Sequence, residues 1–530
     1  MTLTAARYFA QELRRRGVRR VFGLPGTETI EIVEAIRQEG IEFFLTHHEA
    51  TSGFVAGMVG SLEGVPGVCV VSAGPGATNA ISGITAAHLD RRPLLVVVGD
   101  HEHRPELPTH QRLPLELYAS VARAAVSLEA ASIAEQVDAA FRTATGDPPG
   151  PVAVSFPTAE AVKEIVPPDA SARGRAAARG AVPDLTAALD AIRASRRAMI
   201  VAGLGVATSG AGDALVRLAD RLGCPVADTP QAKGWFPNSH PLFAGTYATH
   251  RNAAIVDLAN ASDLVIAAGL DTVEFLRKWQ VTSPVVAIGA VGTAEPALPA
   301  RVHIEGPLRA ILEGLAADAA PAGSHPASAA AASRSAVVKG ILPTSDHRSA
   351  LWPQTVVEEL RRALPADGVV TVDVGSHKLL MVLQWSTDLP NTFLNSSGLS
   401  SMGTGLPFAM AAKLTWPDRP VASVIGDGGF LMYAGELETL ARTRLPIALV
   451  VMNDAALFSI KIKQVRRSYP AVGTDFGPIA VAEIARGFGL RVERVADRAQ
   501  CGRALRAALA SDGPTVIEAM IDPAGYELSQ

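Results

Sequence analysis

Residues 421–430 read Val-Ala-Ser-Val-Ile-Gly-Asp-Gly-Gly-Phe. Five small or apolar residues bounded by glycine are typical of a strand that is buried on both faces of a parallel sheet. Open α/β sheets bind ligands at the carboxyl ends of such strands. There Gly426, Gly428 and Gly429 let the backbone approach phosphate oxygens, and Asp427 offers a hard oxygen to a cation. The stretch therefore predicts an α/β domain with an anion and metal site at one sheet edge.

A second apolar run, Ile447 to Met452, ends in Asn453. A helical stretch from Ala434 to Thr443 precedes it, so Asp427 and Asn453 are predicted at the tips of successive strands, close enough to share one ion. Mg²⁺ prefers six oxygen ligands and is commonly held by one or two carboxylates plus phosphates. Gly-Asp-Gly alone is a common turn. The asparagine at the next strand tip favours the metal interpretation.

The same kind of sequence pattern recurs along the chain of 530 residues. Short Val, Ile and Leu runs alternate with helical stretches, which predicts parallel sheets covered by helices on both faces. Two stretches near 167–182 and 317–349 are rich in Ala, Pro, Ser or Gly without periodic apolar residues, so we expect linkers there. The predicted fold class is α/β, with three doubly wound parallel-sheet domains at residues 1–166, 183–316 and 350–530.

Composition narrows the possible partners. A formal net charge of -4 gives no basic field of the kind that holds nucleic acid. The apolar runs are too short to cross a bilayer, and the N-terminus lacks the pattern of a secretory signal. Three widely separated cysteines fit a reducing compartment. We therefore expect a cytoplasmic protein that acts on small molecules, with neither nucleic acid nor a membrane as partner.

The segment from Gly426 to Asn453 resembles the thiamine diphosphate signature of the acetolactate synthase, pyruvate oxidase and pyruvate decarboxylase superfamily. The resemblance covers essentially the whole chain, because the three units follow that family's order of pyrimidine-binding, central and diphosphate-binding domains. It implies thiamine diphosphate and Mg²⁺ as cofactors. The implied metal ligands are the side chains of Asp427 and Asn453 and the backbone carbonyl of Ala455.

Two further segments of the C-terminal unit resemble cofactor-binding loops of this family. Gly375, Ser376 and His377 resemble the loop that contacts the diphosphate. The segment with Ser400 and Met402 resembles the one that grips the aminopyrimidine. There the resemblance implies a hydrogen bond to the carbonyl of Ser400 and a bulky side chain, Met402, that bends the cofactor.

The N-terminal unit supplies the proton relay in this interpretation. Glu49 follows a predicted strand, Glu42 to Leu45, and its carboxyl would shift the pyrimidine ring into the imino form that deprotonates the thiazolium. The flanking segments 21–26 and 72–79 resemble pyrimidine-domain motifs of acetolactate synthases, which implies cofactor contacts from Pro25, Gly26 and Asn79. The histidines at 47 and 48 are predicted to be packing residues.

Features of the substrate region favour joining of carbon fragments over simple aldehyde release. A loop with His110 and Gln111 resembles the acetolactate synthase loop whose glutamine reaches the active centre, so Gln111 is a predicted catalytic residue. Ser459 stands where pyruvate decarboxylases have a glutamate, and Lys463 where biosynthetic acetolactate synthases have a tryptophan. The predicted substrate pocket consists of His110, Phe458, Ser459 and Ile462.

The resulting hypothesis is decarboxylation of a 2-keto acid and carboligation of the remaining fragment to a second carbonyl compound, as in flavin-free, catabolic-type acetolactate synthases. A decarboxylase or other carbon–carbon lyase for a different 2-keto or 2-hydroxyacyl substrate stays open as an alternative. By resemblance we expect a homodimer or homotetramer with active sites at the subunit interface.

The central unit leaves other classes open. FAD is possible there but not supported, and a nicotinamide-dependent oxidoreductase is disfavoured because Thr208 replaces the third glycine after Gly203 and Gly205. A catalytically silent relative is disfavoured by the presence of both relay and metal residues.

Overall fold

The computed structural model describes residues 3–100, 115–167, 182–248, 252–275, 278–290, 298–319, 325–326, 328–342 and 351–528. Three six-stranded sheets, each with parallel neighbours, follow one another along the chain. Helices cover both faces of each sheet, which confirms the predicted α/β class. Each predicted unit contains one six-stranded sheet, and the exact domain boundaries stay a prediction.

The first unit orders its main sheet β3-β2-β4-β5-β7-β6. Its strands are β1 (Leu3–Thr4), β2 (Arg20–Leu24), β3 (Glu42–Leu45), β4 (Gly67–Val71), β5 (Leu94–Asp100), β6 (Ala124–Ser127), β7 (Pro151–Pro157) and β8 (Glu164–Ile165). Its helices are α1 (Ala5–Arg15), α2 (Ile30–Gln38), α3 (Glu49–Glu63), α4 (Pro75–Asn79), α5 (Ile81–Leu89), α6 (Ile133–Ala144) and α7 (Thr158–Ala161). The short strands β1 and β8 pair in antiparallel fashion and tie the two ends of the unit together.

The central unit orders its sheet β11-β10-β9-β12-β13-β14. Its strands are β9 (Ala198–Ala202), β10 (Val226–Asp228), β11 (Phe243–Thr246), β12 (Leu264–Ala268), β13 (Val285–Gly289) and β14 (Val302–Glu305). Its helices are α8 (Thr186–Ala194), α9 (Leu204–Thr208), α10 (Gly212–Leu222), α11 (Ala253–Asn260) and α12 (Leu308–Asp318). The stretch predicted as a linker near 317–349 also contains a helix, α13 (Ala329–Lys339), which packs on β11 and α11 through buried Ala330 and Val337, so the linker prediction is wrong for these residues. The strand order reverses between β9 and β12, which is where an open sheet of this kind forms its crevice.

The third unit orders its sheet β16-β15-β17-β18-β20-β19. Its strands are β15 (Val369–Val372), β16 (Phe393–Asn395), β17 (Val421–Gly426), β18 (Ile447–Asn453), β19 (Arg491–Val495) and β20 (Thr515–Met520). Its helices are α14 (Pro353–Ala363), α15 (Ser376–Gln384), α16 (Gly405–Thr415), α17 (Asp427–Met432), α18 (Glu436–Thr443), α19 (Phe458–Arg466), α20 (Val481–Gly487) and α21 (Arg498–Leu509). Because β17 and β18 are parallel neighbours, their carboxyl ends meet at one sheet edge, as predicted.

The first and third units share a core around α3. This helix is buried from Glu49 to Gly60 and packs between α5 and α16. Its approach to α5 depends on glycine, since a Cβ at Gly53 would lie 2.9 Å from the Cα of Gly83. Apolar side chains from both units belong to one continuous cluster around this helix. The packing fixes the start of α3, and with it Glu49, relative to the third unit.

The histidines before α3 differ from their prediction as packing residues. The prediction is wrong for His47, because its ring is half-exposed and its Nε2 lies 2.6 Å from the carboxylate of Glu438. His48 does pack, edge-on against Tyr433, and its Nδ1 also accepts the amide hydrogen of Ala50 at 3.1 Å. Buried Glu436 accepts the backbone amides of both histidines at 3.0 and 3.1 Å, so α18 holds the turn that leads into α3.

Candidate active site

Asp427 is the first residue after β17, and its buried carboxylate organises the loop that follows β18. Oδ2 accepts hydrogen bonds from the amides of Asp454 and Ala455 at 3.0 and 2.6 Å, and Oδ1 accepts the amide of Gly428 at 2.7 Å. The side-chain oxygen Oδ1 of Asn453 also accepts the amide of Ala455, at 3.3 Å. The structure therefore brings the two predicted strand-tip ligands together.

The third predicted ligand belongs to the same loop. Ala455 has a φ of +55°, a left-handed conformation that non-glycine residues adopt mainly where the surroundings enforce it. Its carbonyl accepts the amide of Phe476 at 3.1 Å and keeps a second lone pair for another partner. Glu518 fixes the amide of Asn453 by accepting from Nδ2 at 2.7 Å. This orientation leaves Oδ1 as the atom that faces the loop.

Two acidic groups lie side by side at this edge. Burial first, and then the charge of Asp427, raises the pKa of Asp454 to about 7. Burial likewise raises the pKa of Asp427, although several backbone amides oppose the shift. Adjacent buried carboxyls disfavour a second negative charge, and a divalent cation relieves that repulsion. The described parts of the chain contain no group of three or more His, Cys, Asp or Glu side chains placed to hold a metal ion, so amide and carbonyl oxygens have to complete any site here.

The loop before α15 supplies an anion-binding surface. Ser376 and His377 form the first turn of this nine-residue helix, and the N-terminal end of a helix favours a phosphate through its backbone amides and dipole. Burial lowers the pKa of His377 to about 4, so the ring is neutral near pH 7. Its Nε2 is buried and has no hydrogen-bond partner within the described residues. A buried nitrogen without a partner is costly, and a ligand oxygen would satisfy it.

A second loop, residues 397–404, lies opposite. Ser400 has a φ of +55°, another enforced left-handed residue. Asp373, at the end of β15, accepts the amides of Gly403 and Thr404 at 2.9 Å each. Met402 extends toward the glycine turn, because a Cβ added at Gly428 would lie 2.9 Å from its Cε. The loop thus presents two groups beside the strand tips: the backbone carbonyl of Ser400, which has a left-handed conformation, and the large flexible side chain of Met402.

One cavity of about 400 Å³ unites these loops. The predicted residues that line it are Gly375, Ser376, His377, Ser400, Met402, Gly426, Asp427, Gly428, Gly429, Phe458 and Ser459. Asn453 and Ala455 lie beside it, since Met452, Asp454 and Ala456 form the wall. The structure places Ile462 outside the wall, where Ile460 and Lys463 line α19 instead.

Glu49 lies in a separate cluster of the first unit. It is 6% exposed, and its Oε2 accepts a hydrogen bond from Nδ2 of Asn79 at 3.1 Å. Glycines let the surrounding turns approach, because a Cβ at Gly76 would lie 3.2 Å from Oε1 of Glu49, and one at Gly26 would lie 2.6 Å from Ser72. Pro25 is exposed beside this cluster. None of these residues lines the cavity, so within one chain the two halves of the predicted site stay apart.

Three parts of the chain match descriptions of thiamine pyrophosphate enzymes. Residues 3–115 match the N-terminal TPP binding domain, residues 185–315 the central domain, and residues 373–519 the C-terminal TPP binding domain. The chain belongs to the thiamine pyrophosphate enzymes. The resemblance predicted from the sequence, and the interpretation as a thiamine diphosphate-dependent enzyme, are thereby confirmed.

Relatives within this family span almost the full chain. Acetolactate synthase of Bacillus subtilis (strain 168) is 28% identical over 526 residues, which cover 96% of this chain and 92% of that protein. The probable 2-ketoarginine decarboxylase AruI of Pseudomonas aeruginosa is 30% identical over 551 residues, 98% of this chain and 94% of that protein. The catabolic acetolactate synthase of Raoultella terrigena is 28% identical over 538 residues, 96% of this chain and 94% of that protein.

Sequence reasoning missed the central unit's share of this thiamine pyrophosphate enzyme's cavity. Tyr247, Asn252, Glu274 and Phe275 line its far end. Burial raises the pKa of Glu274 to about 7, although its carboxylate accepts hydrogen bonds from the amide of Leu204 and the hydroxyl of a threonine at 2.9 and 2.5 Å. These residues have no shared motif, and only the fold brings them to the site.

Two predictions concern residues that the structure does not describe. His110 and Gln111 lie in residues 101–114, outside the described part of the chain. Their roles in the substrate pocket and in catalysis stay predictions. Among the residues that are described, no helix has the length and apolar character needed to span a membrane.

Proposed function

We propose that this thiamine pyrophosphate enzyme decarboxylates a 2-keto acid and joins the remaining fragment to a second carbonyl compound, as an acetolactate synthase does. The observation that carries the proposal is a continuous cavity that runs from the glycine turn at Gly426 to the central-unit wall at Tyr247. Its walls are mostly apolar beyond the strand tips, with Val382, Leu457 and Phe458 among them. Such a cavity offers space for reacting carbonyl compounds next to the cofactor-binding loops.

The residues present fit thiamine diphosphate and Mg²⁺. Asp427, Asn453 and the carbonyl of Ala455 would hold the metal, because the oxygens of Asp427 and Asn453 converge on the amide of Ala455 at the strand tips and the carbonyl of Ala455 belongs to the same residue. The unpartnered Nε2 of His377 and the amides that begin α15 would hold the diphosphate. When bound, the cofactor supplies an acidic carbon and an electron sink for cleavage of the bond next to the carbonyl.

Within the proposal, the protein orients groups and moves one proton. Ser400 would accept a hydrogen bond from the aminopyrimidine through its carbonyl, and Met402 would impose the bent shape. Glu49 would exchange a proton with the ring nitrogen, held in place by Asn79. Pro25 and Gly26 would pack against the same ring, and Gln111 would face the substrate.

Glu49 and the cavity have to come from two chains for this scheme to work. Neither Glu49 nor its neighbours line the cavity of their own chain, so we propose a homodimer or homotetramer with sites at the subunit interface. Exposed apolar side chains near the cavity support such an interface; they are Leu431, Met432, Ile460, Val465, Tyr469 and Val472. A cytoplasmic location stays part of the proposal.

Flavin is not part of the proposed function. The crevice of the central unit opens at Gly203, after β9, and a Cβ there would lie 2.6 Å from the carboxylate of Glu274. This side chain already accepts the amide of Leu204 and occupies the turn where a nucleotide phosphate would sit. An oxidoreductase would need that turn for its own cofactor.

A second candidate is decarboxylation of a larger 2-keto acid without a carbon–carbon joining step. The similarity to the probable 2-ketoarginine decarboxylase favours it, as does a carboxyl group, Glu274, at the far end of the cavity. A cationic substrate side chain would pair with the ionised form of this carboxyl. In that case the products would be CO₂ and an aldehyde.

A substrate screen separates the two candidates. Purified protein with thiamine diphosphate and Mg²⁺ is incubated with pyruvate, branched, acidic and guanidino 2-keto acids, and CO₂ and products are identified by mass spectrometry. A 2-hydroxy-2-methyl-3-keto acid supports the synthase, whereas an aldehyde alone supports the decarboxylase. The Glu49→Gln variant controls for uncatalysed decay. Absence of CO₂ release from every acid, despite cofactor binding, would refute both candidates.

A further inference from the structure

The turn Asp90-Arg91-Arg92, at the end of α5, contacts both other units of the molecule. Asp90 and Arg92 are 2% and 6% exposed. Arg91 has a φ of +54°, so the turn holds a third left-handed residue near the site. The guanidinium of Arg92 donates to the carbonyl of Asn395 at 2.9 Å and stacks on the ring of Phe408. These charges are engaged between domains, and they do not line the cavity.

Asp90 binds the N-terminal end of the loop at residues 397–404. Its Oδ1 accepts the amides of Ser397 and Gly398 at 3.1 and 2.8 Å. The same oxygen accepts Nε2 of Gln231 at 2.9 Å, and Oδ2 lies 3.3 Å from Arg92. A buried carboxylate that accepts several hydrogen bonds fixes the backbone that donates them.

Asp373 binds the C-terminal end of the same loop, where its carboxylate accepts the amides of Gly403 and Thr404. The loop is therefore fixed at both ends by buried carboxylates from different units, Asp90 from the first and Asp373 from the third. Ser400 and Met402 lie between the two anchors. Because both anchors bind backbone amides, they determine where the carbonyl of Ser400 points.

Arg91 holds the opposite wall of the cavity. Its Nε and Nη2 donate to the two carboxylate oxygens of Asp271 at 2.8 and 3.1 Å. Asp271 in turn accepts the amide of Val273 at 3.1 Å and begins the short helical turn that leads to Glu274 and Phe275. Both of the latter line the cavity. Adjacent residues of one turn thus anchor the cofactor loop and the central-unit wall.

We propose that Asp90 and Arg91 are positioning residues that set the two walls of the cavity, Asp90 for the cofactor and Arg91 for the substrate. The proposal rests on the proposed function, because it assigns the loop with Ser400 to the cofactor and the Glu274 wall to the substrate. A purely structural role would lower stability without separating cofactor binding from substrate binding.

Calorimetric titration of the apoprotein with thiamine diphosphate in Mg²⁺ tests the cofactor wall. Asp90→Ala should weaken binding by about tenfold or more, because the loop loses its N-terminal anchor. Asp90→Asn should lie between Asp90→Ala and the unchanged protein, since its side-chain carbonyl still accepts the amides of Ser397 and Gly398. The near-ultraviolet circular dichroism of the bound cofactor should change in the same order.

Steady-state kinetics test the substrate wall. Arg91→Ala should leave the cofactor affinity within about twofold and raise the KM for the 2-keto acid by about tenfold, with a smaller change in kcat. Arg91→Lys should recover part of the KM, because it keeps the charge but loses the paired contact.

Leu13→Ala is the matched control, because it removes buried contacts from the same unit and does not touch the cavity. It should lower the unfolding temperature without changing the affinity for thiamine diphosphate or the KM for the 2-keto acid. Variants at Asp90 and Arg91 that bind cofactor and substrate like the control would overturn the proposal. If the unchanged protein does not bind thiamine diphosphate, the proposed function fails as well; binding that is insensitive to Asp90 refutes only the positioning role.

Discussion

Asn79 donates a hydrogen bond from Nδ2 to Oε2 of Glu49 at 3.1 Å. The two residues begin and end different helices, α3 and α4, and are thirty positions apart. The contact fixes one carboxylate oxygen of a buried glutamate. Oε1 then stays available to face a ligand.

Replacement of Glu49 by Gln should reduce turnover by about 10²- to 10⁴-fold, because the amide keeps the shape but cannot exchange the proton. Asn79→Ala should cause a smaller loss, since it frees the carboxylate without removing it. Turnover and the rate of hydrogen–deuterium exchange at the cofactor's reactive carbon measure both effects. Glu63→Gln, at the other end of α3, is the control, and thermal unfolding verifies the fold. Unchanged exchange in Glu49→Gln would remove this residue from the relay.

Mixed oligomers test the sharing of sites between chains. Glu49→Gln and Asp427→Asn should each be inactive alone, but after dissociation and reassociation an equal mixture of dimers should recover about a quarter of the original activity. The recovery arises because half of the dimers are mixed, and each of them has one site with both residues intact. A mixture that stays inactive would show that each chain builds its site alone. Native mass spectrometry with one variant isotopically labelled confirms that subunits exchange.

The sequence allowed prediction of most of the C-terminal half of the site. Apolar strands followed by Gly-Asp-Gly and by Asn453 place side chains at adjacent strand tips, because parallel neighbours end at the same edge. The strand at Glu42–Leu45 was likewise predicted from its local apolar run. Local patterns of this kind depend on periodicity, which a single sequence displays.

Contacts between distant segments could not be predicted in this way. Asp90 binds Ser397 across 307 positions, and Glu274 binds Leu204 across 70. No spacing rule connects such pairs, since only the packing of three sheets brings them together. Ile462 was predicted in the pocket from its place on α19, but the helix rotation directs Ile460 and Lys463 there instead.

Mg²⁺ should stabilise the protein through Asp427. Thermal unfolding with thiamine diphosphate should shift upward on addition of Mg²⁺ and return after chelation, because the ion binds the folded state. Asp427→Asn should lose most of this shift, since it removes a carboxylate ligand. Asp418→Asn, exposed just before the same strand, is the matched control. An equal Mg²⁺ shift in Asp427→Asn would exclude this carboxylate as a ligand.

The stability of the apoprotein should depend on Glu274 between about pH 4.5 and 7. Burial raises its pKa from 4.5 to about 7, so the folded state binds more protons than the unfolded state in this range. The contribution of this group is fully present below pH 4.5 and is lost as the pH rises through 7. Glu274→Gln removes the titrating group, so this variant should not lose stability in this way. As the pH rises from about 4.5 to 7, the free energy of unfolding of the variant minus that of the unchanged protein should increase by about 1–3 kcal/mol. Denaturant unfolding at several pH values measures the difference, and Glu313→Gln, an exposed carboxyl of the same unit, should show no such gain. Parallel curves for Glu274→Gln and the unchanged protein would mean that the carboxyl keeps its charge on folding, held by the hydrogen bonds from Leu204 and Thr229.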